Sequence, residues 1–422
     1  MVEKDVLEKN GAFVVFNDGK SLKIKLLSQL IKFFKDIIGL FIIGFLFLYT
    51  LFSQKLFFQK NNRKKVLIHN YVFLPFFYNI YHMLKQKGYE IDFLADIIDV
   101  PFFEEYPESR VITHKEIIKN RILYYFKDYI LPFYFIKNYH VWFSSWDSFF
   151  LDRTSLWRIE LFLYRLFNKK VVVTAYGSDI WDLIDRSNIY RRFSLLGSFK
   201  FYFKYDFKRI NRYYFISKYA NYVIGTSDAY LTLPRIDFLK IFLHVYPYDK
   251  DKYRFSFKDN GKIKVFHVAA ARIKKGTHFI EDVFKRLEKK YKDKVEFKSL
   301  IGIKREELLK EMEESHIFIE QVSYGVISMA ATEALLKGNV VFSNIDKSME
   351  QFYKFLLPEY YDNFFKELPI INIEKEELEE KLERILNMGF DKLQKIADRG
   401  RRFIEQEIDK NLEIFEEILI DE

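Results

Sequence analysis

Three cations that follow one apolar segment could together bind an anion. Arg272, Lys274 and Lys275 come after residues 263–268, which have the pattern of a buried strand, and Gly276 follows them. We expect them in the loop between this strand and the next helix. Arginine offers a planar fork of donors and lysine a compact charge, which suits phosphate oxygens. They would also stabilise a leaving group that gains negative charge, without requiring a metal, although an ordinary basic turn is the alternative.

Residues 323–339 are a second candidate site. Gly325 and Ser328 precede a helix-forming run that carries Glu333 and ends at Gly338. The N–H groups at the start of a helix suit phosphate or sugar oxygens, and a carboxylate further along can accept hydrogen bonds from hydroxyl groups. Small and apolar neighbours predict that Glu333 is buried with a partner. The alternative is a surface glutamate that follows two ordinary turn residues.

Two further places could contribute polar groups. His267 lies near the end of an apolar strand, where it could donate to a phosphate or sugar oxygen. A histidine held within the core is the alternative. Gly177, Ser178 and Asp179 follow another apolar strand, and they form either a ligand-contacting loop or a capped turn before a helix.

The elements that must position these residues alternate between strand and helix. Strands are predicted at residues 65–69, 90–94, 140–143, 170–174, 221–225, 263–268, 295–300, 316–320 and 340–342. Helices are predicted at residues 75–87, 156–167, 279–291 and 304–314. Residues 248–261 are polar and read as a linker. The pattern predicts two doubly wound parallel α/β domains, in which ligands bind at the carboxyl ends of the strands.

Composition narrows the class of protein. The chain has 422 residues, of which 49% are hydrophobic, so it can build two or three packed domains and is not a disordered chain. Its net charge of +9 favours anionic partners such as nucleotides or lipid headgroups, although a lysine-rich surface explains the charge equally well. Cysteine is absent and the eight histidines are scattered, so neither disulfides nor a structural metal is expected.

Residues 37–53 carry no charge and would form a helix about 26 Å long, close to the roughly 30 Å hydrocarbon core of a bilayer. Lysines and arginines flank the run on both sides, and it lies too far into the chain for a secretory signal. Three interpretations stay open: a membrane span, an interfacial or re-entrant helix, and a buried helix of a soluble domain. Membrane contact is favoured, with the basic flanks facing anionic lipids. Because the basic residues cluster around this run, nucleic acid is not expected as a partner.

From about residue 65 onward, the chain resembles the nucleotide-sugar glycosyltransferases with the GT-B fold, a group that acts mostly with retention. The motifs that carry the resemblance, in chain order, are Gly177-Ser178-Asp179, His267 with Arg272 and Lys275-Gly276-Thr277, Glu320-Gln321 with Gly325 and Glu333-Ala334, and Gly400-Arg401-Arg402-Phe403. The chain departs from the pattern at Gly325, where many members have a second glutamate. A subgroup that acts on cell-surface polysaccharides also has glycine there.

The resemblance implies two Rossmann-like, doubly wound parallel-sheet domains after an N-terminal apolar helical segment. The expected divisions are residues 1–60 for membrane association, 61–250 for the acceptor domain, 251–400 for the donor domain and 401–422 for a last helix. A nucleoside-diphosphate sugar would bind mainly to the donor domain.

The resemblance also implies roles for individual residues. The catalytic group would be Arg272 and Lys275 on the diphosphate and Glu333 on the ribose. Further donor contacts would come from His267, Gly276, Thr277, Gly325, Val326 and Ser328. The acceptor or sugar side would be contacted by Gly177, Ser178 and Asp179.

The expected activity is metal-independent, retaining transfer of a sugar from a nucleoside-diphosphate sugar to a hydroxyl group. The acceptor would be a lipid-linked or cell-surface glycan, the enzyme would lie at the cytoplasmic face of the membrane, and no cofactor besides the donor substrate is expected. The alternative is a catalytically inactive GT-B-fold protein that binds nucleotide sugars or acts as a scaffold at the membrane. Gly325 favours this alternative.

Overall fold

Two parallel sheets organise the chain. The computed structural model describes residues 22–57, 65–72, 74–97, 111–174, 202–226, 233–240, 261–270 and 272–421. Residues 65–240 contribute the strands of the first sheet and residues 261–372 those of the second. The predicted pair of doubly wound α/β units after an apolar helix is therefore confirmed, whereas the exact domain boundaries stay predictions.

Seven strands form the first sheet in the described residues. They are β1 (Val66–Val72), β2 (Ile91–Ile97), β3 (Val111–Ile112), β4 (Val141–Ser145), β5 (Lys170–Thr174), β6 (Tyr222–Thr226) and β7 (Phe238–Lys240). Their order is β3-β2-β1-β4-β5-β6-β7, and all neighbouring strands are parallel. The direction of strand succession reverses between β1 and β4, which is where ligands bind in sheets of this type.

Helices cover both faces of the first sheet. They are α1 (Leu22–Phe57), α2 (Pro75–Gln86), α3 (His114–Ile117), α4 (Arg121–Tyr125), α5 (Lys127–Asn138), α6 (Trp157–Leu166) and α7 (Tyr202–Tyr219). α2 shows how local chemistry sets the bounds of a helix. Pro75 fits its first turn because that position needs no N–H donor, and Gly88 follows its end with a φ of 87°.

The second sheet has five strands in the described residues. They are β8 (Ile263–Ala269), β9 (Val295–Ile301), β10 (Ile317–Gln321), β11 (Val340–Ser343) and β12 (Ile370–Asn372). The order β9-β8-β10-β11-β12 is parallel throughout and reverses between β8 and β10. The second sheet therefore has its own ligand-binding edge at the ends of these two strands.

The helices that belong with the second sheet are α8 (Arg272–Lys275), α9 (Thr277–Lys290), α10 (Arg305–Glu314), α11 (Met329–Leu336), α12 (Lys347–Leu356), α13 (Pro358–Asn363), α14 (Leu378–Leu386) and α15 (Phe390–Glu416). The predicted loop around the three cations is wrong, because residues 272–275 form the helical turn α8. The turn forms because the carbonyl of Ile273 accepts the N–H of Gly276, whose left-handed conformation ends it. Residues 248–260 of the predicted linker lie outside the described residues.

The last long helix, α15, joins the two sheets. It begins at Phe390, earlier than the predicted start at residue 401, because its apolar positions already pack against the second sheet from Leu393 onward. Further along, Leu412 and Phe415 enter the core of the first sheet. Lys87 and Glu416 form an ion pair of 2.8 Å at this crossing. One helix therefore contributes to both cores.

Candidate functional site

The segments that follow β8 and β10 are bonded to each other at the edge of the second sheet. The N–H of Val322 donates to the carbonyl of Lys275 over 3.1 Å. The hydroxyl of Ser323 lies 3.2 Å from the carbonyl of Lys274. These bonds hold α8 against the loop that leads into α11, so the two sequence-predicted sites form a single site.

A buried carboxylate, Glu320, lies at the centre of this site. Its Oε1 accepts from Lys275 Nζ at 3.0 Å and from the N–H of Ser328 at 2.8 Å. Its Oε2 accepts from the hydroxyl of Ser343 at 2.8 Å. Lys275 Nζ also lies 3.2 Å from Ser328 Oγ. Glu320 thus fixes one ammonium group at the N-terminus of α11, where the helix dipole already favours an anion.

Glu333 is buried on α11 with a cationic partner, as the sequence predicted. Its Oε1 accepts from Arg305 Nε at 3.0 Å and from Arg305 Nη2 at 2.5 Å. Both side chains are largely buried. Glu333 lies five positions after Ser328, which corresponds to about 7.5 Å along the helix. One extended ligand could therefore contact the N-terminus of α11 with one part and the Glu333 carboxylate with another.

Sequence reasoning missed Arg305 and did not place Glu320 in the site. Arg305 opens the helix that follows β9, so it lies at the same carboxyl edge as the start of α11. That position, the first residue of a helix after a strand of the second sheet, is the signal that could have found it. Glu320 is the fourth residue of a strand that otherwise contains apolar residues up to that point, which marks an unusual buried charge.

Arg272 reaches the edge from the side of β9. It forms an ion pair with Glu281 of α9, and the same carboxylate accepts from the hydroxyl of Ser299 at 3.0 Å. The Arg272 side chain is 48% exposed, whereas that of Lys275 is 15% exposed. Arg272 is therefore the accessible cation of the turn, and Lys275 is the cation that is held in place.

His267 is buried and both its ring nitrogens are bonded. Because a carbonyl can only accept, Nδ1–H donates to the carbonyl of Ile319 at 2.7 Å, and Nε2 accepts from the hydroxyl of Thr277 at 3.0 Å. Burial lowers the pKa of His267 to about 4, so the ring is neutral at pH 7. Both ring nitrogens are therefore occupied within the protein in this structure, and the donor contact predicted for His267 stays a prediction. Thr277 is buried in the same contact.

Gly276 is required by its backbone and by its neighbours. Its φ is 68°, in the left-handed region that favours glycine. A Cβ at this position would lie 2.6 Å from Val322 Cγ2 and 2.9 Å from Ser323 Oγ. The close approach of α8 to the loop after β10 therefore depends on the missing side chain.

The loop before α11 packs against the first α/β unit, which contains the first sheet and helices α1 to α7. Tyr324 and Val326 belong to a buried apolar cluster that also contains Trp146 and Tyr213. Gly325 between them has a φ of 79°, and its carbonyl accepts the N–H of Asp346. In this structure the Val326 side chain has a packing role, and the donor contacts predicted for Gly325, Val326 and Ser328 stay predictions.

Gly177, Ser178 and Asp179 lie outside the described residues, so their predicted acceptor role is untested. A polar cluster that the sequence reasoning missed lies at the reversal point of the first sheet, between the ends of β1 and β4. Ser145 Oγ lies 2.7 Å from Asn70 Oδ1, 2.9 Å from Asp147 Oδ1 and 2.8 Å from Ser148 Oγ. Asp147 is exposed. The signal was the polar run directly after an apolar strand.

No group of three or more histidine, cysteine, aspartate or glutamate side chains with metal-binding spacing is found in the part of the chain that the structure describes. Metal independence stays a prediction. Lys275, at the N-terminus of α11, can supply positive charge to a phosphate group.

Similar folds occur among solved structures of known enzymes. A sucrose-phosphate synthase from Thermosynechococcus elongatus is 14% identical to this chain, with a TM-score of 0.54 over 84% of this chain and 98% of that protein. A glycosyltransferase from Rickettsia africae is also 14% identical, with a TM-score of 0.50 over 85% of this chain and 99% of that protein. The chain has the GT-B fold. The resemblance found in the sequence is confirmed at this level.

Comparison of the amino-acid sequence alone finds no relative of this chain. No protein-family profile matches this chain, and no curated protein sequence matches it. The assignment of a GT-B activity therefore has to rest on the residues of the site.

Proposed function

We propose that this GT-B protein is a glycosyltransferase that uses a nucleoside-diphosphate sugar as its donor. The observation that carries the proposal is the cluster at the reversal point of the second sheet. There, Lys275 and the N-terminus of α11 meet on the buried Glu320, and Glu333 follows on the same helix. The two structures that share the fold are named for sucrose-phosphate synthesis and glycosyl transfer, which supports the same class of reaction.

The diphosphate of the donor is assigned to the mouth of α11. The ammonium group of Lys275, the N–H groups of the first helical turn and the exposed guanidinium of Arg272 supply positive charge from two sides. Charge placed in advance stabilises the leaving group as the glycosidic bond breaks. We propose that these groups stabilise the leaving diphosphate without a metal ion.

The ribose is assigned to Glu333. A carboxylate oxygen accepts hydrogen bonds from hydroxyl groups, and Arg305 fixes the direction in which this carboxylate points. The ribose hydroxyl groups are proposed to donate to the carboxylate that Arg305 holds in this direction. Arg305 is therefore a positioning residue for donor recognition.

The chemical step exchanges one bond for another. The bond between the anomeric carbon and the diphosphate oxygen breaks, and the nucleoside diphosphate leaves with the electron pair. The acceptor oxygen forms the new bond to the anomeric carbon. In the retaining course that we propose, the departing phosphate oxygen takes the proton from the acceptor hydroxyl.

The acceptor is assigned to the first unit. Asp147 is exposed at the reversal point of the first sheet and is held by Ser145, so it can accept a hydrogen bond from an acceptor hydroxyl. Gly177, Ser178 and Asp179 are proposed to contribute beside it. The apolar helix α1 belongs to the same unit, and we therefore propose a membrane location and a lipid-linked glycan as acceptor.

The proposal is tested by a thermal-shift screen against nucleoside-diphosphate sugars, followed by a transfer assay with the donor that binds. Binding to the folded state raises the melting temperature, so the true donor is expected to shift it. The transfer assay then measures released nucleoside diphosphate in the presence and absence of glycan acceptors. The absence of a shift with every donor would contradict the proposal.

A donor that binds without any transfer or hydrolysis would favour the second candidate, a GT-B protein that binds nucleotide sugars without turnover. The observation that supports this candidate is Gly325, which stands where many GT-B glycosyltransferases have a glutamate that contacts the donor sugar. Donor hydrolysis by the wild type, measured without any acceptor, separates a missing catalytic group from a missing acceptor.

A further inference from the structure

The outward side of α1 is an apolar surface of unusual length. The stretch Leu27–Ser53 has the length and composition of a helix that can cross a membrane, and 22% of an apolar 18-residue segment within it is buried in the protein. Phe41 is 76% exposed and Phe45 is 70% exposed. The exposed large apolar residues of the helix are Leu27, Leu30, Ile31, Phe33, Phe34, Ile37, Ile38, Leu40, Phe41, Phe45, Leu48, Tyr49, Leu51 and Phe52. A buried core helix does not expose such a surface.

The opposite side of α1 is fixed to the first unit. Asp36 accepts a hydrogen bond of 2.6 Å from the Tyr129 hydroxyl and one of 3.1 Å from the N–H of Ser155. Gly39 faces the Tyr129 ring so closely that a Cβ there would lie 2.2 Å from Cε1. Further along, Phe47 packs edge-on against Phe167 with ring centroids 5.9 Å apart.

These contacts exclude a simple membrane span. They run from Lys35, which pairs with Asp128 at 3.5 Å, to Phe47, which is about 18 Å of helix axis. A hydrocarbon core of roughly 30 Å that surrounded this helix would also have to take in the side chains docked on it. Those side chains include the ionised pair Lys35–Asp128, whose transfer from water is costly.

The apolar surface continues beside the helix and has basic residues around it. In α4, Ile122, Leu123 and Tyr125 are exposed, and Lys35 Nζ lies 4.9 Å from the centroid of the Tyr125 ring. Phe162 and Leu166 are exposed on α6, next to the residue that contacts Phe47. The exposed cations of this region include Lys32, Lys119, Arg121 and Arg165.

We infer that α1 lies in the plane of the membrane as an interfacial helix, with its outward face in the acyl-chain boundary of an anionic bilayer. Interfacial helices bury one apolar face and place basic groups at the headgroups; here the docked protein takes the place of the usual polar face. The occupant is a lipid surface because the patch is apolar for the whole length of a helix and is edged by cations, which complements anionic headgroups. The inference refines the membrane location proposed above and rests on that part of the proposal, but not on catalysis.

The first experiment measures how deeply α1 enters a vesicle. The chain contains no cysteine, so single cysteines at Phe34, Phe41, Phe45 and Phe52 can carry an environment-sensitive fluorophore without background labelling. The full-length protein is added to vesicles of phosphatidylcholine and phosphatidylglycerol, and lipids with quenchers at known depths locate each label. An in-plane helix predicts that all four labels lie at one shallow depth, within a few ångströms. A profile that is deepest at Phe41 and Phe45 and reaches water at both ends would overturn the inference.

The second experiment compares matched charge substitutions in a vesicle flotation assay. Phe41→Glu and Phe45→Glu are expected to lower the vesicle-bound fraction about tenfold. Phe355→Glu, at a phenylalanine that is 83% exposed on α12, is expected to leave it unchanged. Equal vesicle binding by all variants would overturn the inference. It would also be overturned if the wild type were absent from the vesicle fraction and instead formed a dimer that Phe41→Glu and Phe45→Glu dissociate. Nucleotide binding of each variant, measured without vesicles, separates loss of this surface from failure of the proposed function.

Discussion

Two buried carboxylates set the chemistry of the donor site at the scale of single residues. Glu320 holds Lys275 and the mouth of α11, and Glu333 is held by Arg305. Neither carboxylate is left unpaired, which is the condition under which a buried charge is tolerated. The site therefore keeps one ammonium group and one carboxylate in fixed positions before any ligand arrives, and preorganisation of this kind favours binding.

Replacing Arg305 by methionine should weaken both folding and donor recognition. The substitution leaves a buried carboxylate on Glu333 without its partner, which typically costs roughly 3–5 kcal/mol. Urea unfolding measures the loss of stability, and titration with the donor measures the loss of affinity. The control is Arg286→Met, which removes an exposed ion pair between Arg286 of α9 and Glu379 of α14 and should change both quantities little.

A double variant separates the two effects. Arg305→Met together with Glu333→Gln removes the uncompensated charge, so stability is expected to recover in part while donor affinity stays low. If Arg305→Met behaves like Arg286→Met in both measurements, Arg305 does not have the positioning role.

His267 should make folding sensitive to acid. Its pKa is about 4 in the folded protein and 6.5 in the unfolded chain, so between these values the unfolded chain binds the proton and the folded protein does not. Stability is therefore full above pH 6.5 and falls as the pH drops towards 4, by roughly 3 kcal/mol in total. Urea unfolding at several pH values should give a flatter curve for His267→Gln than for the wild type.

The difference between the two curves isolates His267, because the pKa values of His69 and His114 are also lowered by burial and both residues remain in each protein. Parallel curves for wild type and variant would show that His267 is not the acid-sensitive group.

Single residues also show which contacts of the site could be predicted from the sequence and which could not. Glu333 was predictable because a carboxylate among small apolar residues on a helix has to be buried with a partner. Its partner was not predictable, since Arg305 is 28 residues away and reaches it through the packing of two helices. His267 was assigned a ligand contact because the sequence does not reveal that Ile319 and Thr277 occupy both its nitrogens.

At the scale of elements, turns and close approaches position the site. Nine of the twelve strands in the described residues were predicted, because their apolar runs are short and bounded by polar residues. The edge strands β3, β7 and β12 were not predicted, because two or three residues give no recognisable pattern. α15 begins at Phe390, inside the segment that was expected to belong to the donor domain, and the turn α8 was predicted as a loop because four residues give no periodicity. Gly276 connects that turn to α9 and allows it to approach the loop after β10.

Gly276→Ala should displace the basic turn. An alanine at a φ of 68° costs roughly 1–2 kcal/mol, and its Cβ would also press against Val322 and Ser323. The matched control is Gly302→Ala, which has a φ of 64° but meets no atom within 4 Å in the described part of the chain. Thermal unfolding should show a larger loss for Gly276→Ala, and donor affinity should fall for it alone. If both variants lost the same stability and the same donor affinity, the close approach of Gly276 to Val322 and Ser323 would have no role in the site.

Gly39→Ala should detach α1 from the first unit. The new Cβ would overlap the Tyr129 ring, whereas at Gly44 no described atom lies within 4 Å, so Gly44→Ala gains helix propensity of up to about 1 kcal/mol. Thermal unfolding is expected to show a lower melting temperature for Gly39→Ala and an equal or higher one for Gly44→Ala. A melting temperature that is lower for Gly44→Ala than for Gly39→Ala would contradict the docked arrangement of α1.

At the scale of the whole molecule, two connections bring the sheets together around the proposed site. α15 contributes to both cores, and Tyr324 and Val326 carry the loop at the mouth of α11 into the core of the first unit. The first unit also carries α1, so the surface inferred to bind lipid and the residues proposed to bind the acceptor belong to the same unit. This arrangement suits an enzyme that joins a soluble donor to an acceptor held at a membrane.

We propose above all that the α/β unit with the second sheet binds a nucleoside diphosphate through Lys275 at the N-terminus of α11. Isothermal titration with the nucleoside diphosphate of the preferred donor tests it most directly, with Lys275→Met compared with Lys285→Met, a change at an exposed lysine of α9. We expect saturable binding by the wild type and by Lys285→Met, and affinity at least tenfold lower for Lys275→Met. Equal affinity of the two variants, or no binding of any nucleoside diphosphate by the wild type, would contradict it.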